Sequence, residues 1–160
     1  MFAYLVPNAV ALVTQNRTLV PRILDEYYLT WASSDALPFF TALGPGGRMA
    51  YQNYYLTLDF WFPVLSLTIF YVALLSLAFP ASRRWGWLNL LPIIMYALDM
   101  LENVNHYSLA GSYPDLPDWQ LQIGPVLTLF KYCLITALPL LAAIGFWINR
   151  SDVPANETKP

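Results

Sequence analysis

Charged residues are scarce in this sequence, which argues against an ordinary soluble protein. Only 11% of its 160 residues are charged, whereas soluble domains typically carry about 25%. The formal net charge is −2, and no basic stripe is present that would indicate nucleic acid as a partner. The chain is instead 58% hydrophobic and 16% aromatic, with a mean hydropathy of +0.46. This composition favours an integral membrane protein.

Cysteine and the common catalytic motifs are also missing or nearly so. Cys133 is the only cysteine, so no disulfide bond can form within the chain. It lies in an apolar run, where a thiol packs as a small apolar side chain. The sequence contains no nucleophile elbow, phosphate-binding loop or paired-cysteine motif. The sequence therefore implies no cofactor and does not identify one.

Three long apolar segments are typical of transmembrane helices. They cover residues 58–79, 88–107 and 124–148. Each is close to the roughly 20 residues that are needed to cross a bilayer core. A shorter apolar run within residues 2–20 is either a fourth span or an interfacial segment. We therefore predict an all-α integral membrane protein, a bundle of three transmembrane helices and one candidate, that forms a single domain over residues 1–150.

The remaining segments are predicted to lie outside the bilayer core. Residues 20–45 are partly amphipathic and predict short interfacial helices at the membrane surface. Pro38 disfavours a long helix in this region, and "GPGG" at 44–47 indicates a turn. Residues 151–160 are polar and predict a flexible tail.

Loop charges predict the orientation of the helices. The loop at 80–87 carries two arginines, whereas the loop at 108–122 carries two aspartates and no Lys or Arg. Because cytoplasmic loops carry an excess of Lys and Arg, the first loop and the C-terminus are predicted on the inner side of a bacterial or organellar inner membrane. Three arginines on the predicted outer side oppose this orientation: Arg17, Arg22 and Arg48.

A polar stretch, "LDMLENVNH" at 98–106, interrupts the second apolar segment. Asp99, Glu102, Asn103 and His106 recur at i, i+3, i+4 and i+7, which places them on one face of a helix. A carboxylate in hydrocarbon costs roughly 3 kcal/mol. This face is therefore expected to meet a partner side chain or a cavity rather than lipid.

Lys131 in the third segment and Asp59 in the first are the predicted partners of this face. At a rise of 1.5 Å per residue, Lys131 and Glu102 lie at similar depths, about 10 Å from the segment ends. Asp99 lies one turn deeper, and Asp59 lies near the level of His106. The sequence therefore predicts a buried network of these five residues that opens toward the loop after the second segment.

Two interpretations of this polar cluster remain open. In the structural one, ion pairs and hydrogen bonds fix how the helices pack. In the functional one, the cluster binds a ligand or handles protons, as intramembrane ionisable residues often do. A metal site on Asp99, Glu102 and His106, or a haem bound through His106, has less support because the chain has a single histidine.

Several motifs resemble a little-characterised family of small bacterial membrane proteins. They are "YQNYYLTLDFWFPVLSL" at 51–67, "LLPIIMYALDMLENV" at 90–104, "YPDL" at 113–116 and a lysine in the last helix. The family is similar in its Asp-x-x-Phe-Pro motif and in its Leu-Pro followed by Asp-x-x-Glu-Asn. The resemblance covers residues 40–145, departs at the N-terminus and implies a four-helix membrane bundle, but no assigned activity. The motif positions that the resemblance implies are Asp59, Pro63, Asp99, Glu102, Asn103 and Lys131.

The sequence supports two classes of function. The absence of a complete catalytic motif favours a non-catalytic accessory or structural subunit, with the lipid bilayer and other membrane protein subunits as partners. The alternative is a small membrane enzyme or lipid-binding protein that uses the Asp/Glu/Lys/His cluster as an acid or a base. Fold alone does not separate these two classes.

Overall fold

The computed structural model describes Leu24 and residues 31–56, 63–80 and 84–151. The candidate span at 2–20, Asp59 and the tail beyond Ser151 lie outside the described residues. Within them the protein is all-helical, as predicted, and contains no strand. The elements are α1 (Ser33–Tyr54), α2 (Pro63–Ala78), a 3-10 helix (Gly86–Leu90), α3 (Leu91–Ser112) and α4 (Asp118–Ser151).

Helix α1 consists of two helical segments joined by a kink at "GPGG", where the sequence predicts a turn. Gly44 has φ 64° and ψ 178°, a backbone conformation that favours glycine. Pro45 has no N–H and so cannot complete the helical hydrogen-bond ladder. Arg48 bridges the break, because its Nη1 donates to the Phe40 carbonyl oxygen at 2.9 Å. The predicted turn therefore interrupts the helical backbone at Gly44, and Arg48 ties the two segments of α1 together.

The other three helices pack against α3. Helix α3 packs along α4, α2 packs against both of them, and α1 lies against α3 and the beginning of α4. Two side-chain hydrogen bonds fix α1 in place. Ser33 Oγ donates to the Leu121 carbonyl oxygen at 2.8 Å, and Gln52 Nε2 donates to the Tyr107 carbonyl oxygen at 3.1 Å.

An aromatic core fills the end of the bundle next to α1. Its aromatic rings meet edge to face, with ring centres 5.7 Å apart for Phe40 and Tyr51 and 4.8 Å apart for Tyr51 and Tyr55. This geometry places the positive ring edge against the negative ring face. The buried members are Leu24, Trp31, Ala36, Phe40, Leu43, Tyr51, Tyr54, Tyr55, Leu109 and Ala110.

An apolar core fills the opposite end, where α2 meets α3 and α4. Its buried members are Tyr71, Leu75, Ala78, Phe79, Leu88, Met95, Leu138 and Ala142. Gly145 lets the backbones of α2 and α4 approach closely, since a Cβ atom there would lie 2.7 Å from the Phe79 ring and 2.8 Å from Ala78 Cβ. Small residues serve the same purpose between helices in membranes.

Two amide side chains complete the C-terminal end of α2. Asn89 Nδ2 donates to the Phe79 carbonyl oxygen at 3.0 Å, and Asn149 Nδ2 donates to the Ala78 carbonyl oxygen at 2.7 Å. The last carbonyl groups of a helix have no partner within the helix. The 3-10 helix and α4 therefore supply the donors that the end of α2 lacks.

One helix of the described residues is long and apolar enough, by length and composition, to cross a bilayer. It is the part of α4 from Asp118 to Asn149. The apolar helix Leu65–Ala78 within α2 is shorter, and residues 57–62 before α2 are not described. The polar C-terminal half of α3 lowers its hydropathy. Among the described residues of the three predicted spans, only α4 is long and apolar enough to cross a bilayer.

Candidate functional site

The polar face of α3 is buried, in agreement with the expectation that it avoids lipid. Asp99, Glu102, Asn103 and His106 are each at most 3% exposed, and Lys131 on α4 is 6% exposed. The prediction that the network opens toward the loop at 108–122 is wrong for these residues. Their burial instead makes the described part of the cluster a closed site between α1, α3 and α4.

Lys131 reaches both carboxylates of α3. Its Nζ lies 3.3 Å from Asp99 Oδ1 and is in direct contact with Glu102 Oε2. The predicted ion pair is therefore present, with one ammonium between two carboxylates on successive turns of α3. Asn103 Nδ2 adds a long hydrogen bond of 3.4 Å to Asp99 Oδ2. Burial leaves these charges little water, so their stability depends on each other.

Glu102 is the centre of the cluster. While Oε2 faces Lys131, Oε1 accepts a hydrogen bond from Thr128 Oγ1 and lies 3.7 Å from His106 Nε2. Thr128 was not predicted as a member. Its position one helical turn before Lys131 is the signal that could have found it, since both then share a face of α4.

The His106 ring is enclosed by aromatic side chains. Tyr51 OH lies 3.0 Å from His106 Nδ1. The Tyr55 ring stacks on the imidazole, with ring centres 5.0 Å apart and planes 14° apart, and the Trp31 ring centre lies 5.9 Å away. None of these three residues was predicted. The path of α1 after the Gly44 kink brings Tyr51 and Tyr55 to α3, and Trp31 reaches His106 from the segment before α1.

A second polar contact joins α3 to the beginning of α4. Asn105 Nδ2 donates to the Gln120 carbonyl oxygen at 3.3 Å, and both residues are buried. Gly124 lies against them, and a Cβ atom there would meet Asn105 Nδ2 at 2.7 Å and would also touch Trp31. The polar region therefore extends toward the start of α4, and glycine is required for its close packing.

The arrangement suits an internal ion pair better than a metal centre. Within the described residues, no group of three or more His, Cys, Asp or Glu side chains is arranged to hold a metal ion. The Lys131 ammonium occupies the place between Asp99 and Glu102 that a cation would need. Asp59, the remaining predicted member, lies outside the described residues. The described site can pair charges and form hydrogen bonds within the bundle.

Comparisons with protein-family models, with curated proteins and with solved structures find no match to this chain. The resemblance to the family of small bacterial membrane proteins therefore stays a prediction. The site has to be interpreted from its own geometry.

Proposed function

We propose that this chain is a non-catalytic integral membrane protein that serves as an accessory or structural subunit of a larger membrane complex. In this proposal the polar cluster holds α1, α3 and α4 together, and the outer faces meet lipid and partner subunits. The observation that carries the non-catalytic part is the complete burial of Glu102 beneath Lys131, Thr128 and His106. A catalytic acid or base must come within hydrogen-bond reach of its substrate.

The exposed apolar surface supports the membrane location. Only 28% of the most apolar window of α4 is buried, whereas a core helix of a soluble protein would be mostly buried. Large apolar side chains also stand exposed on α2 and α3. Many large apolar side chains left exposed on several helices are typical of membrane or protein contacts. Exposed examples on three helices are Ile69, Phe70, Ile94, Val104, Phe130, Leu140 and Trp147.

Cysteine labelling in intact membranes tests the spans and the orientation. Single cysteines at Ser82 and Asp115 go into a Cys133→Ser background, since Cys133 is exposed and would also react. Asp115 is preferred to Gly111, where a Cβ atom would lie 2.9 Å from Gln52 Nε2. An impermeant thiol reagent should label position 115 from the outer side and position 82 only after the inner side is opened. Labelling of both from one side contradicts a membrane span between them.

The mass of the solubilised species tests the subunit proposal. Extraction of the full chain in a mild detergent should give an assembly larger than one chain, at fixed stoichiometry, by native mass spectrometry. Phe70→Ala and Leu140→Ala, on the outer faces of α2 and α4, should weaken the assembly without lowering the melting temperature of the chain. Gly46→Ala, where an added Cβ atom would meet nothing within 4 Å, is the control. A single-chain species that retains bound lipid contradicts the subunit proposal.

Native mass spectrometry also distinguishes the subunit proposal from the alternative, a small membrane enzyme or lipid-binding protein. The observation that favours it is the pairing of a buried histidine with a buried carboxylate, His106 Nε2 to Glu102 Oε1 at 3.7 Å. Such pairs can act as acid and base in a closed site. A monodisperse single chain whose bound lipid is lost in Glu102→Gln would establish this alternative.

A further inference from the structure

An apolar cavity lies between the C-terminal ends of α2 and α4, at the end of the bundle opposite the polar cluster. Its volume is about 50 Å³, and its lining is mainly apolar. Trp85 and Ile148 are exposed, so the cavity opens on the surface of the bundle. The lining residues are Ala78, Phe79, Trp85, Gly145, Ile148 and Asn149.

Arg84 stands at the rim of this cavity. Its guanidinium lies 5.4 Å from the centre of the Trp85 ring, which forms part of the cavity wall. The Arg84 side chain is exposed, and the ion pairs among the described residues involve other cations. Residues 75–90 and 140–150 contain no Asp or Glu. The rim therefore carries a positive charge that no carboxylate of the described residues neutralises.

Exposed tryptophans mark the same end of the bundle. They are Trp85 and Trp87, around the start of the 3-10 helix, and Trp147 near the end of α4. Tryptophan concentrates at membrane–water interfaces, where its ring lies at the level of the lipid headgroups. In the membrane location proposed above, the cavity then lies at the boundary of the hydrocarbon core, and Arg84 lies at the level of the lipid phosphates.

An anionic phospholipid combines the chemistry that the cavity and its rim require. A guanidinium binds phosphate oxygens through paired N–H donors, and an acyl chain fits a narrow apolar cavity. Basic pockets between helices on the cytoplasmic or matrix side bind anionic headgroups in the same way. A partner protein would need a slender apolar side chain and an acidic group at the same spacing. A lipid carries both features in one molecule, and the bilayer surrounds the site with it.

From these observations we propose that this groove binds one anionic phospholipid from the leaflet next to Arg84. The lipid phosphate binds the Arg84 guanidinium, and the first part of an acyl chain lies along the walls formed by Phe79 and Ile148. Its binding holds the ends of α2 and α4 together. The site rests on the membrane location in the proposed function, but it needs no partner subunit.

Native mass spectrometry of the full chain with added lipid tests the proposal. Phosphatidylglycerol and phosphatidylcholine with the same acyl chains differ in the charge of the headgroup. The chain should retain one phosphatidylglycerol, with about a fivefold preference over phosphatidylcholine, the effect expected of one basic residue near the membrane surface. Equal retention of the two lipids by the folded chain would overturn the proposal.

Two surface variants separate the headgroup contact from the acyl-chain contact. Arg84→Gln should remove most of the preference for phosphatidylglycerol, and Arg48→Gln in α1, at the opposite end of the bundle, is its control. Ile148→Ala should weaken retention of both lipids. Its control is Ile144→Ala, one helical turn earlier, because Ile144 is 50% exposed against 43% for Ile148 and does not line the cavity. Unchanged lipid binding in both Arg84→Gln and Ile148→Ala would contradict the assignment.

The lipid site and the subunit proposal fail separately in these spectra. The mass of the protein assembly tests the subunit proposal, and the added mass of retained lipid tests the groove. The cysteine labelling described above tests the membrane location on its own. A lipid that is lost in Glu102→Gln and retained in Arg84→Gln would lie in the polar cluster, and that result would overturn the groove as its site.

Discussion

The two ends of the helix bundle are stabilised by different interactions. The end that contains α1 joins its helices through buried charges and hydrogen bonds, with Lys131 between Asp99 and Glu102. The end that contains α2 joins its helices through the apolar core and the close approach at Gly145. Helices α3 and α4 run through both ends, so the same two helices meet by polar pairing at one end and by close packing at the other.

This difference has a consequence for specificity. In a bilayer, lipid tails are as apolar as leucine, so apolar contact alone gives helices little reason to choose one register. Buried polar groups penalise every arrangement that strands them. The polar end is therefore expected to fix the register of α3 on α4, and the apolar end to add packing energy. The next four substitutions, from the largest expected effect to the smallest, test this division.

Lys131→Met should have the largest effect. Removing one partner from a buried ion pair typically costs about 3–5 kcal/mol, because the remaining charge is stranded. Lys131→Met with Glu102→Gln should recover only part of this loss, because Asp99 also loses the Lys131 ammonium. Thermal melting in detergent measures both variants. A melting temperature unchanged in Lys131→Met would show that its ammonium extends to the interface instead.

Leu138→Ala should be the most damaging substitution in the apolar core. Leu138 is fully buried, and replacing a buried leucine with alanine typically costs about 2–5 kcal/mol. Leu140→Ala is the matched control, since Leu140 is 62% exposed on the same helix. Denaturant titration of the two variants should separate them clearly. Equal losses would mean that the outer face of α4 is packed as tightly as the core.

Gly145→Ala should destabilise the contact between α2 and α4 by about 1–3 kcal/mol, as typical overpacking does. The added Cβ would meet Phe79 and Ala78. Phe79→Leu in the same chain should relieve part of the loss, because it removes the ring that the new methyl group meets. Gly46→Ala, where a Cβ atom would meet nothing within 4 Å, is the control. A fully stable Gly145→Ala protein would show that α2 shifts freely.

Arg48→Met should have the smallest effect of the four. The Arg48 guanidinium lies 4.0 Å from the centre of the Tyr113 ring and donates to the Phe40 carbonyl oxygen. Cation–π contacts near the surface are worth about 0.5–1 kcal/mol. We expect a small loss of stability together with faster hydrogen exchange across the Gly44 kink. Unchanged exchange there would mean that the kink needs no support from Arg48.

Local sequence patterns determine the helices and the polar residues that α3 contributes to the cluster. The i, i+3, i+4, i+7 spacing places Asp99, Glu102 and His106 on one face whatever surrounds the helix, because α-helical geometry depends only on local backbone bonds. The pairing with Lys131 also follows from the sequence. A lone cation and a carboxylate at similar depths in apolar helices have few other partners.

Only the tertiary structure decides which aromatic side chains enclose His106 and that the site is closed. The Gly44 kink sets the direction of the second half of α1, and that direction brings Tyr51 and Tyr55 to the imidazole. Thr128 shares a face of α4 with Lys131 by its spacing, and the rotation of α4 about its axis turns that face toward Glu102. These contacts join residues far apart in sequence. The "GPGG" motif predicts that the chain turns near Gly44, but the direction of the bend and the rotation of α4 are set by packing over the whole bundle.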